Sequence, residues 1–246
     1  MAHNTAFESR MTWALGVFQS WHNDGDLIWG RASQGDATAV TGRVTYLPYY
    51  ENNGRRMVHL GAAYSYRVPS GSIQYSQRPE SRLQPVFTDT GRFSADSVNL
   101  LGLEAAWVHG PFSLQGEYMA AGIDAADGTR DVWLDGMYVQ ASYILTGENR
   151  QYNTARGFFE GVIPKKNFLS GEGWGAWEVA ARYSYLNLDR GNLPNTANRV
   201  QDMTFGVNWY LNPNVRVSGN YVRSWVDGSA TDGAADIFML RFQMAF

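Results

Sequence analysis

The sequence contains no cysteine, which excludes disulfide bridges, thiol catalysis and cysteine-ligated zinc sites. Charged residues make up only 17% of the 246 residues, against the ~25% of an average soluble domain. The 20 basic residues are fewer than the 23 acidic ones, so the basic excess typical of nucleic-acid-binding proteins is missing. No apolar run approaches the ~18 residues of a transmembrane helix. These absences exclude a helical membrane protein and predict no nucleic-acid partner.

Aromatic residues and glycine, in contrast, are abundant, with 9 Trp, 14 Tyr, 12 Phe and 26 Gly. This aromatic content gives the chain enough surface to bury and excludes disorder. The first residues, Met1–Thr5, show neither the basic nor the apolar region of a signal peptide. We therefore expect either a cytoplasmic protein or a mature or truncated piece of an exported one. The composition as a whole is typical of an all-β protein, in particular one that exposes alternate residues to lipid.

Apolar side chains recur at every second position over long stretches. Between Met57 and Val68 the even-numbered side chains are apolar or aromatic, whereas the odd-numbered ones are mostly small or polar. The same alternation is found at 177–185, 203–211 and 238–246 and, less regularly, at 11–21, 38–50, 98–109, 112–121, 132–145 and 215–225. It predicts about ten long strands. Strands of about 9–11 residues are the length that a tilted transmembrane β-barrel needs.

The connections between these strands differ in length. Short turns at 51–55, 109–111 and 212–214 contrast with long polar segments at 22–37, 69–97, 122–131, 146–174, 187–199 and 226–236. Short turns at one end and long loops at the other are typical of outer-membrane barrels. Because neither an internal repeat nor a linker is visible, the sequence predicts a single domain, residues 1–246.

Several segments, taken in chain order, carry a resemblance to a known family. They are TGRVTYLPYY (41–50), HLGAAYSYRVP (59–69), residues 78–119, LTGENRQY (145–152), GEGWGAWEVAARYSYLNLD (171–189), GVNWYLNPNVRVSGNYV (206–222) and a last strand that ends on Phe246. The ordered set resembles the phosphate-selective porin O/P family of bacterial outer-membrane channels. The resemblance implies an antiparallel, sixteen-stranded transmembrane β-barrel in outer-membrane lipid. It also implies a homotrimer that passes anions, phosphate or polyphosphate in the best-known members.

The chain is shorter than this family, and its match corresponds to the C-terminal part, without roughly the first six strands. An open sheet would leave two unpaired edges in lipid, at a high cost in free energy. Two interpretations therefore stay open: a portion of a longer porin, or a narrower barrel that closes on its own.

Candidate binding residues follow from the alternation. It places five arginines on the inward face, namely Arg43, Arg67, Arg182, Arg216 and Arg241. Guanidinium groups hold phosphate oxygens with paired hydrogen bonds and keep their charge, so the five would pass an anion along a series of weak sites. The same parity places Glu104, Glu117, Glu178 and Asp202 on that face. The alternative is that arginines and carboxylates pair across strands and fill a wet interior.

Two long segments, 78–96 and 152–174, add basic residues outside the strands. The candidates there are Arg78, Arg82, Arg92, Lys165 and Lys166, the last two being the only lysines. These residues would narrow a pore or attract anions. The alternative is that they belong to loops that pack on one another and face solvent.

The sequence predicts no catalytic residue, no metal site and no cofactor. The four histidines lack metal-ligand spacing, and no glycine-rich phosphate loop opens a helix. An outer-membrane barrel enzyme or adhesin that acts through its long loops is the main alternative to a channel. A soluble β-sandwich that binds carbohydrate through its aromatic residues is a further one.

Overall fold

A computed structural model describes residues 1–20, 37–126, 131–168, 173–189, 193, 198–228 and 232–245. The predicted loop at 22–37 lies almost wholly outside the described residues, as does the terminal Phe246. The strands are β1 (Ala2–Ala6), β2 (Met11–Ser20), β3 (Ala37–Glu51), β4 (Arg56–Pro69), β5 (Ser72–Ile73), β6 (Ser76–Gln77), β7 (Thr88–Asp89), β8 (Phe93–His109), β9 (Phe112–Ala125), β10 (Val132–Ile144), β11 (Tyr152–Asn153), β12 (Phe158–Phe159), β13 (Ala176–Asn187), β14 (Arg199–Asn212), β15 (Val215–Asp227) and β16 (Gly233–Met244). Among the described residues, no helix is long and apolar enough to cross a membrane.

The long strands form one antiparallel sheet in the order β1-β2-β3-β4-β8-β9-β10-β13-β14-β15-β16, with β5 added against β8. All ten predicted strands are confirmed, and the all-β class of an antiparallel transmembrane barrel is confirmed with them. The sequence did not predict β1, which is only five residues long. In the described part of the chain, the two outermost strands of the sheet, β1 and β16, do not pair with each other.

The two faces of the sheet differ as the alternation predicts. One face, termed the outer face, exposes large apolar side chains such as Val179, Phe205 and Leu240. The opposite, inner face carries polar side chains that other parts of the chain cover; Glu178 is 6% exposed and Asp202 is 4% exposed. An apolar face of this extent is unfavourable in water and fits contact with lipid.

Two segments cover the inner face. The β4–β8 segment, residues 70–92, places Ile73 in an apolar cluster with Val98, Ile123 and Val132 on the inner face of β8, β9 and β10. The β10–β13 segment, residues 145–175, packs Tyr152 and Phe159 against a cluster formed by Leu47, Met57 and Val108 on β3, β4 and β8. Apolar packing thus holds both segments inside the curve of the sheet.

The position of the β10–β13 segment differs from the prediction, which grouped 146–174 with the long loops. Because each long strand reverses the direction of the chain, the connection after β10 lies at the same end as the short turn 110–111. Two hydrogen bonds confirm this position, from Ile144 N to Pro111 O (3.0 Å) and from Phe168 N to Leu211 O (2.8 Å). The segment therefore enters the inner face from the short-turn end, opposite to the β4–β8 segment.

Candidate functional site

The β10–β13 segment reaches across the inner face to β2, β3 and β4. Its Tyr152 hydroxyl lies 2.7 Å from Nδ1 of the buried His59. At Gly157 the backbone has a φ of +68°, and a Cβ atom would lie 2.6 Å from the hydroxyls of Thr12 and Thr45. Only glycine combines this conformation with this close approach. The contact fixes the segment against the wall of the sheet.

Arg43 joins this contact to a carboxylate. Its Nη2 atom lies 2.6 Å from Oε1 of Glu104 on β8 and donates a second hydrogen bond, of 3.0 Å, to the carbonyl of Gly157. The Nε2 atom of His59 lies 3.6 Å from the same carboxylate oxygen. The pairing neutralises the charge of Arg43 and uses it to hold the β10–β13 segment.

Arg182 is also paired, but with a residue of the β4–β8 segment. Its Nε atom lies 2.6 Å from Oε1 of Glu80, and its guanidinium carbon lies 3.7 Å from the centre of the Tyr138 ring. Thr204 donates a hydrogen bond of 2.6 Å to the other oxygen of Glu80. The carboxylate that pairs with Arg182 therefore comes from a connecting segment. The sequence had instead offered strand carboxylates as the possible pairing partners of the inner arginines.

The remaining three predicted arginines have no carboxylate partner within the described residues. Arg67 donates to Oγ of Ser65 (3.3 Å), and Arg216 donates to Oε1 of Gln243 (2.8 Å). Arg241 is exposed on β16, directly opposite Ser218 of β15. Neutral oxygens do not cancel the positive charges of these arginines.

The other three carboxylates that the sequence predicted on the inner face, Glu117, Glu178 and Asp202, are held by neutral donors. Tyr138 donates to Glu117 (2.6 Å), and Glu178 accepts hydrogen bonds from Asn208 (2.9 Å) and Tyr210 (2.8 Å). Asp202 accepts a backbone hydrogen bond of 3.2 Å from the β4–β8 segment. These hydrogen bonds hold the three carboxylates in place, but neutral donors do not cancel their negative charges.

Arg150, a further arginine on the inner side of the sheet, was not predicted from the sequence. It donates to Oε1 of Gln115, and its guanidinium carbon lies 4.3 Å from the centre of the Phe159 ring. Burial lowers the pKa of Arg150, while the negative charge of Glu178 raises it, and an arginine keeps its proton throughout the physiological range. Arg150 lies outside the alternating strands, so its only sequence signal is its place within LTGENRQY.

The loop candidates lie away from this centre. Arg78, Arg82, Arg92, Lys165 and Lys166 are all exposed. Lys165 donates from Nζ to the carbonyl of Gly147 (2.8 Å), which ties it to its own segment. The described residues form no cluster of three or more His, Asp or Glu side chains that would hold a metal ion.

Comparisons with known proteins agree with this architecture. The family model described as "Phosphate-selective porin O and P" matches residues 5–246. Porin O of Pseudomonas aeruginosa is 31% identical over 235 residues, which cover 83% of this chain and 52% of Porin O. An uncharacterized protein of Caulobacter vibrioides is 33% identical over 168 residues, which cover 64% of this chain and 32% of that protein.

The chain spans about half the length of Porin O and about a third of the Caulobacter protein. Together, the antiparallel sheet, its lipid-compatible outer face and the match over nearly all residues lead to one assignment. The chain belongs to the phosphate-selective porin O and P family of the bacterial outer membrane.

Proposed function

We propose that the protein that contains this chain forms a water-filled channel through which small anions, phosphate among them, diffuse passively across the outer membrane. The observation that carries the proposal is that Arg67, Arg216 and Arg241 share the inner face and have only neutral partners, or none, among the described residues. A channel works through the groups that line it, without bond making. No catalytic role is therefore assigned to any residue.

Positive charge on the inner face attracts anions and repels cations, most strongly where the wall excludes water. Guanidinium groups bind phosphate oxygens with two parallel hydrogen bonds. Passage also requires weak binding, so that the ion leaves each site. Glu104 and Glu80 contribute to this balance, because they neutralise Arg43 and Arg182 and so leave separated positive charges.

Two further properties are part of the proposal. The family resemblance supports a homotrimer surrounded by outer-membrane lipid. The coverage of about half of Porin O supports a chain that is part of a longer barrel, with the strand edges at β1 and β16 paired to further strands. Its place in the C-terminal part of that barrel rests on the resemblance alone.

The experiment is a planar-bilayer measurement on the purified protein. We expect chloride current through single channels, and we expect added phosphate to reduce that current because phosphate occupies the same arginines. Absence of channels would contradict the proposed function. Chloride current that phosphate leaves unchanged would contradict phosphate binding while leaving an anion channel intact.

A further inference from the structure

The inner face holds an apolar cavity of about 370 Å³ that the binding of a simple inorganic anion does not explain. Its lining includes Leu100, Met119, Leu134 and Leu186, with Tyr75 of the β4–β8 segment. Cavities of a few hundred Å³ with mostly apolar walls and a few polar groups are typical small-molecule sites. An apolar recess of this kind gives no binding energy to phosphate itself, which is hydrophilic on all sides.

The backbone leaves this space open through two glycines. Met119 pairs directly with Gly102 on β8 and with Gly136 on β10, and the same cross-strand row continues through Ala63 to Arg43. Directly opposite residues of an antiparallel pair point to the same side of the sheet. Met119 therefore lies on the inner face with Arg43, yet it is 50% exposed because its two neighbours have no side chains.

One edge of the cavity is polar and positively charged. Thr41 and Ser65 share a hydrogen bond of 2.7 Å at this edge, and Arg67 donates to the same Ser65 hydroxyl. The buried hydroxyl of Tyr75 has no hydrogen-bond partner within the described residues. Burial raises the pKa of Tyr75, and the charge of nearby Arg67 lowers it. A buried donor without a partner is uncommon, and because Tyr75 lines the cavity, its hydroxyl can donate to the oxygen of a solute bound there.

Asp135 also borders the cavity, but the register assigns its side chain to the outer face, opposite Ala120 and Asn187. The inner edge thus offers one guanidinium and one free hydroxyl beside an apolar recess. This combination matches a solute that has an anionic head and an apolar body.

We propose that this cavity is a binding site for organic phosphate monoesters with a small apolar group, with the ester group in the recess beside Met119 and the phosphate near Arg67 and Tyr75. The inference rests on the proposed anion channel and names a substrate class beyond inorganic phosphate. It requires no chemistry, since the solute binds and leaves unchanged.

The test uses isothermal titration calorimetry on the purified protein in detergent, with phenyl phosphate and inorganic phosphate as probes. We expect phenyl phosphate to bind roughly tenfold more tightly, since burial of part of the ring adds apolar contact area. Equal affinities for the two probes would overturn the inference, even if the channel conducts anions normally. Failure of the channel function would instead appear as absent chloride current.

Two variants locate the site. Gly102→Leu fills the recess, because a Cβ atom there meets only the Ala63 Cβ atom, at 3.7 Å. This variant should bind phenyl phosphate and inorganic phosphate with about equal affinity. Gly219→Leu is the matched control, since Gly219 pairs with Val207 of the outer face and a Cβ atom there meets nothing within 4 Å. The control variant should still bind phenyl phosphate roughly tenfold more tightly than inorganic phosphate. A Gly102→Leu protein that folds and retains the tenfold preference would overturn the location.

Tyr75→Phe provides a test that does not depend on filling a cavity. It removes only the unpaired hydroxyl, and we expect it to weaken phenyl phosphate binding about three- to tenfold because one hydrogen bond to the phosphate is lost. Unchanged binding would exclude Tyr75 as the phosphate donor and contradict the proposed orientation.

Discussion

The carboxylate of Glu80 lies 2.6 Å from Nε of Arg182, so that a residue of a connecting segment neutralises a charge on the opposite part of the sheet. The backbone N–H of Glu80 also donates to Asp202, and Thr204 donates to its side chain. The ion pair therefore does two things: it removes one positive charge from the inner face, and it holds the β4–β8 segment in place.

We predict that Glu80→Gln loosens the β4–β8 segment and frees the charge of Arg182. Arg82 is exposed in this segment and is followed by Leu83, so trypsin should cut after Arg82 several-fold faster once the segment opens more often. Mass spectrometry of the fragments measures the cleavage rate. Asp96→Asn is the matched control, because it removes the same charge from an exposed position on β8. Equal cleavage of the two variants would show that the ion pair does not hold the segment.

Gly157→Ala should release the β10–β13 segment from the sheet. The added Cβ atom would lie 2.6 Å from two threonine hydroxyls, in a backbone conformation with a φ of +68°. We expect a loss of roughly 1–3 kcal/mol in the free energy of unfolding, measured by thermal unfolding in detergent. Gly161→Ala is the control in the same segment, since a Cβ atom there meets nothing within 4 Å. If the two variants unfold at the same temperature, the docking contact contributes nothing to stability.

Tyr152→Phe should give a pH-dependent change in stability. Burial raises the pKa of Tyr152 to about 12, against about 10 in an unfolded chain. The folded protein therefore favours the neutral phenol, so this contribution to stability is complete below pH 10 and disappears as the pH rises to about 12. The variant also loses the hydrogen bond to His59, at roughly 1–2 kcal/mol.

Thermal unfolding should thus favour wild type over Tyr152→Phe at pH 8. This advantage should shrink above pH 10 and be lost before pH 12, because a pKa difference of about two units is worth roughly 2–3 kcal/mol. Tyr46→Phe serves as the control, because Tyr46 is 46% exposed on the outer face. A difference that stays constant from pH 8 to pH 12 would contradict the assignment.

Local alternation explains why the strands were predictable. At β13 the pattern places Glu178 inward and Val179 outward, and burial confirms both, since lipid and lumen demand opposite side chains on successive residues. The same alternation predicted that Arg43, Arg67, Arg182, Arg216 and Arg241 lie on the inner face, and all five do. Their role in passing anions stays a prediction.

The contacts that the sequence did not reveal are between distant parts of the chain. Glu80 and Arg182 meet because the β4–β8 segment folds back over the sheet, and Arg43 reaches the carbonyl of Gly157 in the same way. No period in the sequence marks such docking. The number of strand reversals is enough to predict at which end of the sheet the β10–β13 segment lies. It does not predict that the segment enters the inner face.

The central claim is that the unpaired arginines of the inner face select anions. The most direct measurement is the reversal potential in a KCl gradient for wild type and for the triple variant Arg67→Gln, Arg216→Gln and Arg241→Gln. The control, Arg223→Gln, removes a charge that pairs with Asp236 on the outer face. We predict an anion-selective potential for wild type and the control, and a shift of at least half that potential toward zero for the triple variant. A cation-selective wild type, or a triple variant with the wild-type potential, would contradict the account.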